Sequence, residues 1–314
     1  MDSISQIPRT SRMIKTLVVI GGPTAIGKTG AGIALAKRYQ SEIISADSRQ
    51  IYRETRIGTA VPTQKELSEV PHHFIRFISL NDYYNASKFE VDVLKKLEQL
   101  FRVHDVVFMV GGSGMYIDAV CFGIDELPEV DQEIRAELSE IFHVHGIERL
   151  RSDLKRLDPE TYKKVDLNNH YRILKALEVT IQTGRPYSSF LTHQKRKRNF
   201  RITRLALDME REALYQRINE RVDRMLNEGL VEEVRSLQSF RHKNAMKTVG
   251  YRELFLYLDG ELSLEAATDL IKRNTRKYAR KQLTWFRKNN LYPWFHPAET
   301  DRMDDHIRRS LEKG

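Results

Sequence analysis

Residues 22–29, GPTAIGKT, combine the residue types that hold phosphate groups in nucleotide-binding proteins. Gly22, Gly27, Lys28 and Thr29 satisfy the spacing G-x-x-x-x-G-K-[ST] between an apolar run and a helix-forming run. Glycines let successive backbone N–H groups turn toward an oxyanion at the positive end of a helix. Lys28 adds a charge for the outer phosphate, and the Thr29 hydroxyl suits Mg²⁺. The sequence therefore predicts a phosphate-binding loop with Mg²⁺ as its cofactor.

Asp47, in IISADSRQIY, is the acid that follows a predicted strand next to this loop. Phosphate-loop ATPases usually place an acid for Mg²⁺ after an apolar strand, but the best candidate strand, DVVFMVGG, is followed by Ser113. Ligands bind beyond the carboxyl ends of parallel strands, so we expect Asp47, Ser113 and the phosphate loop to share one crevice. Asp47 has two interpretations, a catalytic carboxylate or a side chain that shapes a turn.

Composition restricts the class of protein. The 314 residues are 40% hydrophobic, which supports a substantial core. No apolar run reaches the roughly 18 residues of a membrane span, and no signal-peptide segment precedes the first strand, so we expect a cytoplasmic protein without a membrane partner. Cys121 is the single cysteine, which excludes an intrachain disulfide. His72 and His73 lack a third ligand at metal spacing, and we expect a structural loop or a hydrogen bond near the substrate there.

Basic residues concentrate in two stretches of a chain whose formal net charge is +9. Residues 195–204 contain six and residues 271–290 contain eight, and neither stretch contains an acid. In the second stretch Ile271, Tyr278 and Trp285 repeat every seven residues, on a face apart from most of the basic residues. One interpretation is a solvated helix that packs by its aromatic face. The interleaved aromatics favour the other, a surface for a nucleic-acid backbone.

The hydrophobic pattern predicts an α/β fold: a phosphate-loop NTPase-like core with a parallel sheet, plus a small all-helical insertion domain. Leu214, Ile218, Val222, Met225 and Leu226 predict one buried stripe of a late helix. The predicted strands are 16–21, 42–46, 105–111 and 201–209, and the first helix is 28–39. The predicted domains are 1–123 for the first part of the core, 124–198 for the insertion, and 199–314 for the rest of the core with the C-terminal helices.

Several motifs in a fixed order resemble the tRNA dimethylallyltransferase family. The resemblance runs from about residue 16 to residue 288. It implies transfer of a dimethylallyl group from dimethylallyl diphosphate to the exocyclic amine of the adenine 3′ of the anticodon. It also implies that the insertion grips the tRNA anticodon stem-loop, and we expect a monomer. The motifs are GPTAIGKT at 22–29, DSRQIY at 47–52, IGTAVP at 57–62, PHH at 71–73, GGSGMY at 111–116 and VGYRE at 249–253.

The resemblance implies roles for residues at matching positions. The catalytic acid falls on Asp47, the arginine that assists the leaving diphosphate on Arg221, and transfer-site positions on Ser113 and Arg135. The diphosphate-binding positions are Gly22, Pro23, Thr24, Ala25, Ile26, Gly27, Lys28 and Thr29, the last also a Mg²⁺ ligand. The tRNA contacts fall on Asp47, Ser48, Arg49, Gln50, Ser113, Arg135, Tyr171, Arg172, Ile173, Leu174, Lys175, Lys247, Thr248, Val249, Gly250, Tyr251, Arg252, Arg280, Lys281 and Arg287.

The chain departs from the family pattern at a few of these positions. Ser113 stands where threonine is more usual, and Lys247 where arginine is also acceptable, so a hydroxyl and a charge are kept. Asn169 and His170 replace an acidic and a proline position next to the insertion's predicted RNA contacts.

The residue types suit this chemistry. An exocyclic amine must lose a proton as it attacks carbon, and a carboxylate can accept that proton. Lys28, Arg221 and Mg²⁺ would neutralise the charge on the departing diphosphate. From helical spacing alone, however, Arg221 shares an exposed edge with Arg217 and Arg224.

Two other functions remain open from the sequence: a small-molecule or nucleoside kinase, and a non-catalytic RNA-binding NTPase. A kinase has no use for two basic stretches, and an NTPase switch would need an Asp-x-x-Gly after a strand, which the sequence does not show.

Overall fold

The computed structural model describes residues 14–129, 131–192, 194–288 and 290–312. The chain divides into two compact units. One is the segment Gly123–Arg196, and the other contains the residues before and after that segment. The predicted insertion spans 124–198, almost the same segment. The expected absence of a signal peptide concerns residues 1–13, which lie outside the described residues.

A parallel six-stranded sheet forms the centre of the larger unit, with the strand order β3-β2-β4-β1-β5-β6. Strands β1 and β4 are buried along their whole length, as apolar strands covered on both faces must be. Their carboxyl ends lead into the phosphate loop and the GGSG turn. The strands are β1 (Thr16–Gly21), β2 (Ile43–Ser45), β3 (His72–His73), β4 (Val106–Val110), β5 (Arg201–Leu207) and β6 (Trp294–Phe295).

Twelve α-helices accompany these strands in the described part of the chain. Helices α5 to α7 belong to the unit Gly123–Arg196, and the others to the larger unit. In chain order they are α1 (Lys28–Arg38), α2 (Gln64–Glu69), α3 (Ala86–Leu100), α4 (Gly114–Phe122), α5 (Gln132–Leu157), α6 (Pro159–Lys164), α7 (His170–Thr183), α8 (Arg211–Asn227), α9 (Leu230–Ser236), α10 (Tyr251–Leu258), α11 (Leu264–Arg287) and α12 (Thr300–Glu312).

The predicted stripe of α8 is buried at Leu214, Ile218 and Val222, with Met225 and Leu226 partly buried.

The seven-residue repeat of α11 did not predict which face of that helix is buried. Ile271 is buried, but Tyr278 and Trp285 are each 42% exposed. A straight helix drifts by about 20° per seven residues, so this repeat does not stay on one face. The buried face of α11 consists of Ala267, Ile271, Ala279, Gln282 and Phe286.

The unit Gly123–Arg196 contains helices and no strand in its described residues. Leu138 and Leu150 of α5, together with Ile173 and Leu177 of α7, form its core. Gly146 interrupts α5 with a left-handed backbone (φ 70°). The pattern of charged and apolar residues therefore predicted the secondary structure of this segment correctly.

Two edge strands escaped sequence prediction. His72–His73, expected in a loop, forms β3 beside β2, and Trp294–Phe295 forms β6 beside β5. Two residues are too few for an alternating or continuous apolar pattern to develop. His73 Nε2 lies 2.6 Å from a carboxylate oxygen of Glu42, which ties β3 to the start of β2. In the described residues no helix has both the length and the apolar character needed to cross a membrane.

Candidate active site

The phosphate loop connects β1 to α1 and borders a cavity of about 570 Å³. Gly27 has a left-handed backbone (φ 104°), which a side chain would strain, and it caps α1 without a side-chain hydrogen bond. No capping side chain therefore competes with an anion for the N–H groups at the start of α1. Of the predicted diphosphate-binding residues, Gly22, Pro23 and Ile26 are buried and do not line the cavity. Those that line it are Thr24, Ala25, Gly27, Lys28 and Thr29.

Two cations in this cavity have pKa values below their usual range. Lys28 Nζ donates to the Pro23 carbonyl at 2.7 Å, and burial, which outweighs the opposing effect of the Asp47 charge, lowers the Lys28 pKa to about 7. Burial also lowers the pKa of Arg221, and the charges of Arg224 and Arg217 add to that shift. Arg221 therefore lines the cavity and does not lie on a solvated edge. An anion in the cavity would stabilise both cations.

Asp47 follows β2 and uses one oxygen for local structure. Its Oδ1 accepts a hydrogen bond from the Arg49 N–H at 2.9 Å, which is the turn-forming interaction of an Asp in this position. The described residues donate no hydrogen bond to Oδ2, and the side chain lines the phosphate cavity. Both interpretations of Asp47 are therefore compatible: one oxygen holds the turn, and the other can do chemistry.

Ser113, which follows the neighbouring strand β4, contacts the same segment after β2. Its Oγ accepts from the Ser48 N–H at 2.9 Å and donates to Ser48 Oγ at 3.1 Å. Ser113 lines neither the phosphate cavity nor the second cavity described next. Gln50 connects the segment after β2 to residues 59 and 60, because its Nε2 donates to the carbonyls of Thr59 and Ala60 at 3.2 and 2.9 Å.

A second cavity, of about 380 Å³, adjoins the first. Six residues line both: Thr24, Asp47, Thr59, Ala60, Arg221 and Tyr278. Burial and the Asp47 charge raise the pKa of the Tyr278 hydroxyl to about 12, although the side chain is partly exposed to the open cavities. The second cavity also contacts predicted tRNA-binding residues from two segments, Ser48, Arg49, Lys247, Thr248, Val249 and Gly250.

Two predicted tRNA contacts after Gly250 have other partners. Tyr251 is fully buried, and its hydroxyl donates to Glu233 at 2.7 Å. Its side chain is therefore enclosed in the protein in this conformation, and only its backbone remains available for the predicted tRNA contact. Arg252 pairs with Glu253 at 2.6 Å and remains half exposed.

Within the unit Gly123–Arg196, the predicted RNA contacts separate into core and surface. Ile173 is fully buried and Leu174 partly buried in the helical core, so Ile173 offers no exposed side chain to RNA. Tyr171 and Arg172 are exposed at the start of α7. Burial lowers the pKa of Lys175. Arg135 holds Glu178 through two hydrogen bonds of 2.7 and 2.9 Å.

Asn169 and His170, which depart from the family pattern, have structural roles in this segment. The Asn169 side chain accepts from the Arg172 N–H and caps α7. The His170 ring stacks on Phe142, with ring centroids 4.6 Å apart.

The basic stretch on α11 presents Lys277, Arg280 and Lys281 to solvent. Arg280 and Lys281 form no ion pair with the described residues. Arg287 differs, because it pairs with Asp208 and lies over the Trp294 ring.

Sequence reasoning missed two polar side chains that organise the site, the buried Gln282 and the partly buried Glu233. Gln282 of α11 joins the phosphate loop to the GGSG turn, and Glu233 of α9 holds residues 56–58. Gln282 could have been noticed as an uncharged polar residue on the buried face of a basic helix. Glu233 has no such signal, because it stands next to the exposed Glu232.

Oxygen ligands for Mg²⁺ are available at the phosphate cavity. The Thr29 hydroxyl and the Asp47 carboxylate both line it, and hard oxygen donors are what Mg²⁺ prefers. Mg²⁺ is usually held by one or two protein oxygens together with substrate phosphates. The residues therefore fit the ion. Groups of three or more metal-ligating side chains are absent from the described residues.

Comparison with known proteins defines the family. A family model described as "IPP transferase" matches residues 50–289. The "tRNA dimethylallyltransferase 1" of Bacteroides fragilis is 48% identical, over 95% of this chain and 99% of its own. The "tRNA dimethylallyltransferase" of Christiangramia forsetii is 49% identical, over 92% of this chain and 96% of its own.

Solved structures agree with this assignment. The tRNA isopentenylpyrophosphate transferase of Bacillus halodurans superposes with a TM-score of 0.69 and 35% identity, covering 95% of this chain and 97% of that one. A eukaryotic dimethylallyltransferase shares the fold, with a TM-score of 0.73 at 24% identity over 94% of this chain and 77% of its own. The mixed α/β fold is shared with a tRNA isopentenylpyrophosphate transferase. The chain belongs to the IPP transferase family.

Proposed function

We propose that the protein transfers the prenyl group of dimethylallyl diphosphate to the exocyclic amine of the adenine 3′ of the anticodon in tRNA. Membership of the IPP transferase family and the tRNA dimethylallyltransferases among the relatives support this class of enzyme. The kinase and NTPase alternatives receive no support from those relatives.

The position of Asp47 is the observation that carries the proposal. Its carboxylate lines both cavities, together with Thr24, Arg221 and Tyr278. The first cavity has the loop and cations for a diphosphate, and the second has the space and mixed walls for a base. A carboxylate at the junction can meet the amine of a base and the allylic carbon of a donor at once.

The transfer balances as one substitution. The amine nitrogen forms a bond to the allylic carbon, and the carbon–oxygen bond to the diphosphate breaks, with its electron pair leaving on the diphosphate. The amine proton goes to Asp47 Oδ2, because Oδ1 holds the Arg49 N–H. Lys28 and Arg221 neutralise the charge on the leaving group. Because the base starts in the anticodon stack, its extraction costs a few kcal/mol.

We infer that Thr29 holds Mg²⁺ together with the donor's phosphates. The ion supplies charge neutralisation to the departing diphosphate. Lys277, Arg280 and Lys281 of α11 contact the RNA backbone, and Tyr171 and Arg172 contact the anticodon stem-loop. We expect the protein to act as a monomer in the cytoplasm.

A label-transfer experiment tests the function. The protein is incubated with bulk tRNA and Mg²⁺, in parallel with dimethylallyl diphosphate labelled in the prenyl group and with ATP labelled in the terminal phosphate. We expect prenyl label in RNA and no phosphate label. Hydrolysis of ATP stimulated by tRNA, without prenyl transfer, would overturn the proposal.

A further inference from the structure

Gln282 lies on the buried face of α11, and both ends of its amide group are hydrogen-bonded. Its Oε1 accepts from the Thr24 N–H at 2.8 Å, and its Nε2 donates to the Gly112 carbonyl at 2.9 Å. The residue is 6% exposed. One side chain thus connects the loops that follow two neighbouring strands, β1 and β4. A buried amide with both ends satisfied fixes its partners in place, because losing either bond leaves a polar group unpaired.

Thr24 makes this connection relevant to the donor. Its N–H belongs to the phosphate loop, and Thr24 lines both cavities. The direction of that N–H therefore depends on where α11 holds Gln282. Gly112 leaves room for the amide, since a side chain at that position would collide with Gln282 Nε2.

The opposite side of the same helix carries free cations. Arg280 and Lys281 precede Gln282 in sequence, and with Lys277 and Thr284 they border an open surface groove. In the described residues neither Arg280 nor Lys281 has an ion-pair partner. A backbone phosphate bound there would restrain the same helical turn that directs Gln282 toward Thr24.

We propose that Gln282 is a positioning residue that couples RNA binding on α11 to diphosphate binding in the phosphate loop. The inference rests on the proposed function, in which α11 contacts tRNA and the loop binds a prenyl diphosphate. RNA on the outer face holds α11 still, Gln282 transmits that restraint to Thr24, and the diphosphate then meets an ordered loop. Linkage requires the reverse effect to be equal: diphosphate must tighten RNA binding by the same factor.

The coupling is measured with inorganic diphosphate and Mg²⁺ as the probe. Its Kd is determined by calorimetry with and without saturating tRNA, and the Kd of tRNA is determined with and without diphosphate. For the unmodified protein we expect both ratios to be about tenfold, within the usual range of such couplings. Gln282→Met keeps the length of the side chain but removes both hydrogen bonds, so both ratios should approach one.

Two further variants separate coupling from general stability. Thr268→Ala, on the same helix but outside the groove and both cavities, loses only a hydrogen bond to its own helix and should keep the tenfold ratio. Gly112→Ala displaces the amide while keeping Gln282, and should also abolish the coupling. It serves as the test if Gln282→Met fails to fold.

Two results would overturn the inference. One is a ratio of one in the unmodified protein. The other is an unchanged ratio in a folded Gln282→Met or Gly112→Ala protein, which would mean that Gln282 only supports the fold. Either result can be distinguished from failure of the proposed function. Prenyl transfer by the unmodified protein is measured separately from the ratio of the Kd values.

Discussion

The Tyr251 hydroxyl donates a hydrogen bond of 2.7 Å to Glu233 Oε1, and the same carboxylate accepts three backbone N–H groups. Those groups belong to residues 56–58, at distances of 2.8 to 3.0 Å. Thr59 and Ala60 come directly after these residues in the chain and line both cavities. The Glu233 carboxylate therefore positions one wall of the site.

Glu233→Gln should therefore weaken both stability and donor binding. A glutamine presents one acceptor oxygen and one NH₂ group to four donors, so at least one N–H or O–H loses its partner. We expect a loss of about 1–3 kcal/mol in the free energy of unfolding, measured in urea. Glu232→Gln, at the exposed neighbour, is the control and should change stability by less than about 0.5 kcal/mol. Equal stability for the two variants would contradict this role.

Donor binding should weaken as the pH rises above about 7. The Lys28 ammonium, with its pKa lowered to about 7, is lost over that range in the free protein, while a bound diphosphate favours the charged form and raises the pKa. Binding at pH 8 therefore takes up a proton. The donor's own phosphate has its last pKa at about 6, so it contributes little to this proton uptake. Calorimetry in two buffers of different ionisation enthalpy measures this uptake.

Lys28→Met is the control for this pH dependence. It should bind donor more weakly and without proton uptake at pH 8. Proton uptake that persists in Lys28→Met would assign the titration to another group.

Asp47→Asn should slow prenyl transfer by about 10²–10⁴ while leaving tRNA binding nearly intact. The asparagine carbonyl can still accept from the Arg49 N–H, so the turn is kept and only the proton-accepting oxygen is lost. Single-turnover rates at saturating donor and tRNA, over a Mg²⁺ series, measure the effect. Lys28→Ala should differ, because it should also raise the donor KM. Recovery of Asp47→Asn at high Mg²⁺ would identify Asp47 as a metal ligand and not as the base.

The affinity for tRNA should fall steeply with salt, and the exposed cations of α11 should contribute to the slope. Each cation that neutralises an RNA phosphate adds roughly 0.7–0.9 to the slope of log K against log salt. Arg280→Ala with Lys281→Ala should therefore flatten the slope by about 1–2. Arg309→Ala, which removes an exposed charge on α12, is the control and should leave the slope unchanged. An unaltered slope in the double variant would make this face of α11 a solvated surface.

Removing Arg135 should destabilise the unit Gly123–Arg196 whether or not RNA is present. The Glu178 side chain is 5% exposed. Without the two hydrogen bonds from the Arg135 guanidinium, its negative charge would stay buried without its positive partner. Thermal unfolding of Arg135→Ala measures the loss, and Arg135→Ala combined with Glu178→Ala should recover part of it. A double variant no more stable than the single one would indicate that the pair does not interact energetically.

Local sequence signals were sufficient for the central strands, for the loop between β1 and α1, and for the helical nature of the insertion. The loop is readable because its motif lies within eight consecutive residues. The strands β1 and β4 are readable because burial on both faces requires a continuous apolar run.

Interactions between distant segments were not readable. Gln282 contacts Thr24 across 258 positions, and Glu233 contacts residues 56–58 across about 176, with no periodicity that marks either partner. The burial of Tyr251 and Ile173, both predicted to contact tRNA, was not readable for a related reason. Position in a motif does not reveal which side chains face inward, and both are fully buried.

The order of strands in the sheet constrains how a nascent chain can fold. Strand β1 pairs with β4 on one side and with β5 on the other, and the whole of Gly123–Arg196 lies between those partners in the sequence. A ribosome therefore delivers a helical unit with its own core before β1 can acquire its second neighbour. Until then an apolar strand has one unpaired edge, which is a template for association between unfinished chains. Translational pausing within the insertion would prolong that vulnerable interval.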